Sequence, residues 1–311
     1  MSSELIVGTP RVGWLHHPKL PDPAQPAPCM LMDDGKQIAL HVPLRPGADD
    51  LHERWFHASF AEFGDDPDRT KYDYAAPETI AFVDRHGIVM LVGCTWSFGA
   101  SSGFGSEGVI TARRDILGAN EYRYPMINAM RTEISGLSDW LGLSGVDVEV
   151  ERDADGRALS ISIASRSSEH LALSPRLNLS AEATWRERFV TDGSGIEAPA
   201  QIKTQVTKAR PWDDHADLHR AFLGLVEIAA WERIGFRSMH VRRDDDPEKA
   251  EAGNAIGPGW SLVRSYERDH QEASVPADPR RFLFRYADVG AAGVREWLSV
   301  RKAFQRGVQQ M

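Results

Sequence analysis

Three stretches of the 311-residue chain carry residue types that could do chemistry, and spacing decides each of them. Gly99-Ala100-Ser101-Ser102-Gly103 matches the Gly-x-Ser-x-Gly pattern of a serine nucleophile, and Gly103-Phe104-Gly105-Ser106-Glu107-Gly108 matches the glycine pattern of dinucleotide binding. Both chemistries need a helix to begin at once, so that its first amides hold an oxyanion or a pyrophosphate. Val109-Ile110-Thr111 follows instead and reads as a strand, so a Gly/Ser-rich loop between strands is expected. Trp96, Phe98 and Phe104 edge that loop and make it a candidate ligand-contact surface.

His52-Glu53-Arg54-Trp55-Phe56-His57 misses the zinc-protease motif by one residue. Five residues of helix turn the second histidine about 140° away from the first, so one metal cannot readily take both. His215 and His219 do have the four-residue spacing, near a helix start and beside Asp213, Asp214 and Asp217. Asp213, Asp214, His215 and His219 are therefore candidate metal ligands, and a metal-dependent hydrolase built on them is one alternative function. The same residues also fit an ordinary helix start, with aspartates offsetting the dipole and histidines in solvent. No third helix-borne ligand is identifiable, no catalytic constellation is complete, and no cofactor is implied. The reading leans away from an enzyme.

The elements that must position these residues are mostly strands. Asp34-Gly35 precedes the alternation Ile38, Leu40, Val42, and Asp84–Gly87 separates Ile80–Val83 from Ile88–Val92. Asp155-Gly156 separates Val146, Val148, Val150 from Leu159, Ile161, Ile163, with Asp147, Glu149 and Glu151 on the other face. Asp-Gly suits such turns because glycine accepts positive φ. Further strands are expected at Leu171–Leu179, Ala183–Val190, Gln201–Thr207, Ser261–Tyr266 and Arg281–Tyr286, and a long exposed loop at Asp244–Gly259. Helices are expected at Asp50–Phe63, at Asp214–Ile234 with Gly235 as the stop, and at Gly290–Arg306. No βαβ rhythm appears. The expected fold is α+β, with β-dominated antiparallel sandwich-like sheets and about three helices packed on them. Two lobes are expected, a β-rich one at 1–135 and a second, with two helices, at 136–311, unless the two form one continuous domain.

Composition narrows the function classes. Apolar residues make up 42% and charged residues 26%, as in globular proteins. The net charge of -9 disfavours non-specific nucleic-acid binding, which needs a basic footprint. Cys29 and Cys94 stand alone, which fits a reducing compartment. The first nine residues lack the pattern of a signal peptide, and no apolar run is long enough to span a bilayer. A cytoplasmic protein without a membrane partner is expected. Trp140, Trp185, Trp212, Trp231 and Trp297 read as core rather than as ligand platforms.

Several pieces follow one another in a fixed order: Gly13-Trp14 followed by a proline-rich stretch and Ile38-Ala39-Leu40, the hairpin Ile80–Cys94, and Ile134–Leu141 with its Leu-x-x-Trp turn. The strand Gln201–Lys208, the helix Leu218–Ala229, and Phe282-Leu283-Phe284 leading to Trp297-Leu298 complete the set. Read together, they resemble the N-terminal domain of ApeA-type bacterial anti-phage defence proteins. The resemblance implies a sensing or regulatory domain of an abortive-infection system, normally followed by a C-terminal HEPN ribonuclease domain that this chain is expected to lack. Its implied partners are a HEPN ribonuclease domain or protein and a phage protein trigger; homo-oligomerisation is left open. HEPN helices carry an arginine and a histidine a few residues apart. Of the pairs at that spacing here, Arg210/His215 is broken by Pro211, Arg233/His240 by Gly235, and Arg264/His270 lies in an expected strand, so no catalytic residue carries over. A carbohydrate- or protein-binding β module is the remaining alternative.

Overall fold

The computed structural model of the chain describes residues 5–18, 26–43, 55–56, 66–68, 70, 77–98, 107–119, 123–166, 170–190, 193–249, 255–265 and 282–309. In chain order the first strands are β1 (Arg11–His16), β2 (Ala27–Asp33), β3 (Ile38–Pro43), β4 (Thr79–Asp84), β5 (Gly87–Val92), β6 (Thr95–Phe98), β7 (Glu107–Ala112) and β8 (Arg114–Leu117). Next come β9 (Met126–Ile134), the short helix α1 (Leu137–Leu141), β10 (Val146–Arg152), β11 (Ala158–Ser165), β12 (His170–Ser174) and β13 (Leu179–Ala183). They are followed by β14 (Arg186–Val190), β15 (Gly193–Glu197), β16 (Ala200–Pro211), the long helix α2 (Trp212–Ala230) and β17 (Phe236–Arg242). The short strands β18 (Pro247–Lys249) and β19 (Ala255–Pro258), then β20 (Ser261–Ser265) and helix α3 (Tyr286–Gln309), complete the order. The fold is α+β and β-dominated, with antiparallel sheet, as the alternating patterns require. No helix among the described residues is long and apolar enough to cross a membrane.

The chain divides into two compact units, residues 1–126 with 243–268 and residues 127–242 with 269–311. In the first unit the strands run β20-β8-β5-β4-β1-β2-β3-β7-β6. Period-two alternation turns Leu31, Leu40 and Ile110 to one side, and the register Leu31↔Leu40 and Leu40↔Ile110 stacks them across three strands. Leu15, Phe82, Val89 and Leu91 join the same core. Gly13 is required where β1 crosses β4, because a Cβ there would collide with the Val83 carbonyl and the Phe82 ring. The Arg264 guanidinium meets two buried carboxylates, Asp33 at 2.8 Å and Asp115 at 3.1 Å, and so ties β20 to β8 and β2.

In the second unit the main sheet runs β12-β13-β16-β9-β17. α2 lies on the face that carries Thr132 of β9 and Thr204 of β16, both hydrogen-bonded to its histidines. The apolar stripe Leu218, Phe222, Leu225, Val226 and Ala229 is buried against that face. Two hairpins stand apart as separate two-stranded sheets, β10–β11 and β14–β15. Their roots touch, since a Cβ at Gly145 would meet the Thr184 carbonyl and the Trp185 backbone nitrogen.

The structure corrects four sequence expectations. Trp185 and Trp231, read as core, are 50% and 80% exposed. Residues 282–285 are not a strand; the Leu283 N–H instead bonds the Ala229 carbonyl at 2.8 Å, and a helical turn starts at Tyr286, inside the expected strand, and is broken from the rest of α3 by the non-helical Gly290 (φ 58°). Asp244–Gly259 holds the β18–β19 hairpin, and its Asp246 is buried against the Tyr124 hydroxyl at 2.9 Å. α2 stops at Ala230 rather than at Gly235, because Trp231 takes the left-handed conformation (φ 54°) and caps it. Of the helix expected at Asp50–Phe63 only Trp55 and Phe56 are described, both buried; the remainder lies outside the described residues.

Candidate functional site

His215 and His219 are brought together as expected of their spacing, but on the buried side of α2. Both are 0% exposed, whereas Asp213 and Asp214 are exposed. The Thr204 hydroxyl lies between the two rings, 2.8 Å from His215 Nδ1 and 2.9 Å from His219 Nε2, and Thr132 stands 2.8 Å from His219 Nδ1. Burial pushes the His215 pKa down to about 4, with Asp214 pulling the other way. Burial and then the charge of His215 push His219 down to about 3. The pair is therefore neutral at pH 7, and its rings donate and accept within a hydroxyl–imidazole chain that pins α2 to β9 and β16. Among the described residues no group of three or more His, Cys, Asp or Glu side chains is gathered as a metal would need. A signal for this placement exists in the sequence: His215 and His219 fall on the same helical stripe as Phe222, Val226 and Ala229.

The aromatic candidates lie in the first unit. Trp96 on β6 is 40% exposed and registers with Ile110 of β7; Phe98 ends the same strand, and Phe104 lies outside the described residues. The Gly/Ser-rich stretch 99–106 also lies outside them, and Val109–Thr111 beyond it is strand, as expected.

An open pocket of about 360 Å³ in the second unit was not foreseen. Glu133, Gly136, Ser138, Asp139, Glu197 and Arg237 help to line it. Glu133 is buried at the end of β9, where Arg186 grips it through two bonds of 2.9 and 3.2 Å and Gln201 donates to it at 3.1 Å. The same guanidinium holds Glu197 at 2.9 and 3.0 Å, so one arginine neutralises two carboxylates. Ser138 is engaged as a bridge, donating to the Ala198 carbonyl at 3.1 Å and accepting from the Ala200 N–H at 2.8 Å. It is thus held as part of the wall and not as a free nucleophile. These partners are tens of residues apart in sequence, and no local pattern announces them.

Within the second unit, the segments there that carry the family resemblance converge on Trp140. Its ring is fully buried, edge-on to Phe222 (5.6 Å between centroids) and Tyr286 (6.0 Å), and its indole N–H donates to the Phe284 carbonyl at 3.1 Å. Trp297 in turn donates to the Ala221 carbonyl at 2.7 Å. The Leu-x-x-Trp turn, α2, the Phe282–Phe284 segment and α3 therefore form one packed cluster. Exposed apolar side chains are present as well: Val148, Val150, Leu159, Ile161 and Ile163 of the β10–β11 hairpin all face solvent.

A family model described as ApeA N-terminal domain 1 matches residues 19–297, most of the chain and nearly all of the elements above. No curated protein and no solved structure gives a match. The chain belongs to the ApeA N-terminal domain family, and that membership points to a role in anti-phage defence.

Proposed function

We propose that the chain is a non-catalytic sensing or regulatory domain of an abortive-infection system, acting in the cytoplasm and coupled to a HEPN ribonuclease. The observation that carries this reading is the family match across residues 19–297, since the family implies association with a HEPN effector domain. The geometry is in keeping with recognition. Glu133 is hydrogen-bonded to Arg186 and Gln201, and His215 and His219 share the Thr204 hydroxyl, while the apolar side chains of β10–β11 are turned to solvent. The trigger on this reading is a phage protein, and the ribonuclease is restrained or released through this domain.

The test is an infection experiment with the chain and its cognate HEPN protein. The chain is expected to co-purify with that ribonuclease, to enrich a phage protein during infection, and to be needed for RNA cleavage and for reduced plaquing. Unchanged plaquing and RNA integrity on deletion, with neither protein enriched, would sink the reading.

A further inference from the structure

The β10–β11 hairpin exposes an apolar face that its own unit leaves uncovered. Val148 registers with Ile163 and Val150 with Ile161, and Leu159 continues the row. These five side chains are 39–64% exposed. No third strand pairs with either edge among the described residues. A two-stranded ribbon is marginal in water on its own, and a contiguous apolar patch of this kind marks a binding surface. The opposite face carries Asp147, Glu149 and Glu151, and the turn adds Asp153 and Asp155, so residues 146–166 hold five carboxylates against Arg152, Arg157 and Arg166, the last paired with Asp147 at 3.7 Å. Glu149 has no cationic partner among the described residues.

We infer that this hairpin docks an amphipathic polypeptide segment whose apolar side chains are interleaved with lysine or arginine. The segment adds as a strand at a free edge through backbone N–H and C=O groups, so that its apolar side chains extend the Val148–Ile163 row on one face and its basic side chains fall on the opposite face beside Asp147, Glu149 and Glu151. Charge selects this occupant over a second copy of the chain, which would bring the same acidic hairpin, on a molecule of net charge -9, against itself. The inference rests on the recognition reading and names the chemistry of what is recognised.

The probe is a fluorescent synthetic peptide of alternating valine or isoleucine and lysine, titrated against the purified full chain and compared with a peptide carrying glutamate at every lysine. The lysine peptide is expected to bind at least tenfold more tightly and to weaken with salt. Ile161→Asp is expected to reduce its affinity at least tenfold, and Glu149→Lys several-fold with a shallower salt dependence. Both side chains are exposed, so melting temperatures should stay unchanged. Equal binding of the two peptides, or full affinity in a folded Ile161→Asp variant, would overturn the inference. So would a concentration-dependent dimer dissolved by Ile161→Asp, which would make a second copy the occupant. Peptide binding without an effect of deletion on plaquing defeats the defence reading and leaves the surface; the converse defeats the surface alone.

Discussion

The Thr204 hydroxyl lies 2.9 Å from Nε2 of His219, and the same oxygen is 2.8 Å from Nδ1 of His215. One hydroxyl thus partners both imidazoles in a site where all three residues are fully buried. Thr204→Val keeps the shape but leaves two buried ring nitrogens without a partner. The expected loss is about 2 kcal/mol, read from the urea midpoint by tryptophan fluorescence, with Thr204→Ser recovering most of it.

The same pair sets an acid limit on stability. Both pKa values lie below the ordinary 6.5, at about 4 and about 3, so the folded state refuses protons that the unfolded chain accepts. Stability is complete above pH 6.5 and falls as pH drops from there toward 4. The melting temperature should therefore decline between pH 7 and pH 4.5, and a His219→Gln variant, destabilised at neutral pH, should show a shallower decline. Identical slopes in the two proteins would assign the acid sensitivity to other groups.

How much of this was legible depends on range. The Asp34-Gly35, Asp84–Gly87 and Asp155-Gly156 turns announce their hairpins because a local backbone need coincides with alternation on both sides. α2 announces itself by its stripe. Alternation also predicted a strand over Phe282 and Phe284, but there the Leu283 N–H goes to the end of α2, a long-range choice that no local period encodes. The β10–β11 alternation separates an apolar face from an acidic one, and both faces are open, because burial depends on what the fold brings alongside. Glu133 and Arg186 are 53 residues apart, and Trp140 and Phe284 are 144 apart. Such pairs exist only once the sheet has formed.

Cys29 and Cys94 are both buried free thiols, and burial pushes each pKa up to about 12. The thiolate that attacks an alkylating or disulfide reagent is therefore scarce in the folded chain, and the reagent has no access to it. Native protein at pH 8 should react with a thiol reagent at least a hundredfold more slowly than protein in denaturant. Mass spectrometry should find neither residue modified until the first unit unfolds.

The Arg186–Glu133 pair should respond asymmetrically. Glu133 is 2% exposed and Arg186 is 47% exposed at its side chain, so only one partner loses water when the pair forms. Arg186→Ala leaves a buried carboxylate with Gln201 as its remaining donor, at an expected cost of about 3 kcal/mol. Glu133→Gln leaves a guanidinium that solvent and Glu197 still satisfy, so its cost should be smaller. Equal losses for the two variants in denaturant unfolding would mean that the pocket wall rearranges around whichever partner is missing.

Trp231 carries a different kind of strain. It holds φ 54° at the end of α2, where the Glu232 N–H reaches back to the Glu227 carbonyl, the geometry in which helices ordinarily place glycine. A Cβ in that left-handed region costs about 1 kcal/mol, and the indole offers little in return because the residue is 80% exposed. Trp231→Gly removes both the side chain and the strain, whereas Trp231→Ala removes the side chain alone. The glycine variant should be the more stable of the two by about 1 kcal/mol, measured as the difference between their urea midpoints. If alanine equals glycine, the cap conformation is not strained. If both fall well below the parent, the exposed indole contributes a contact that outweighs its backbone.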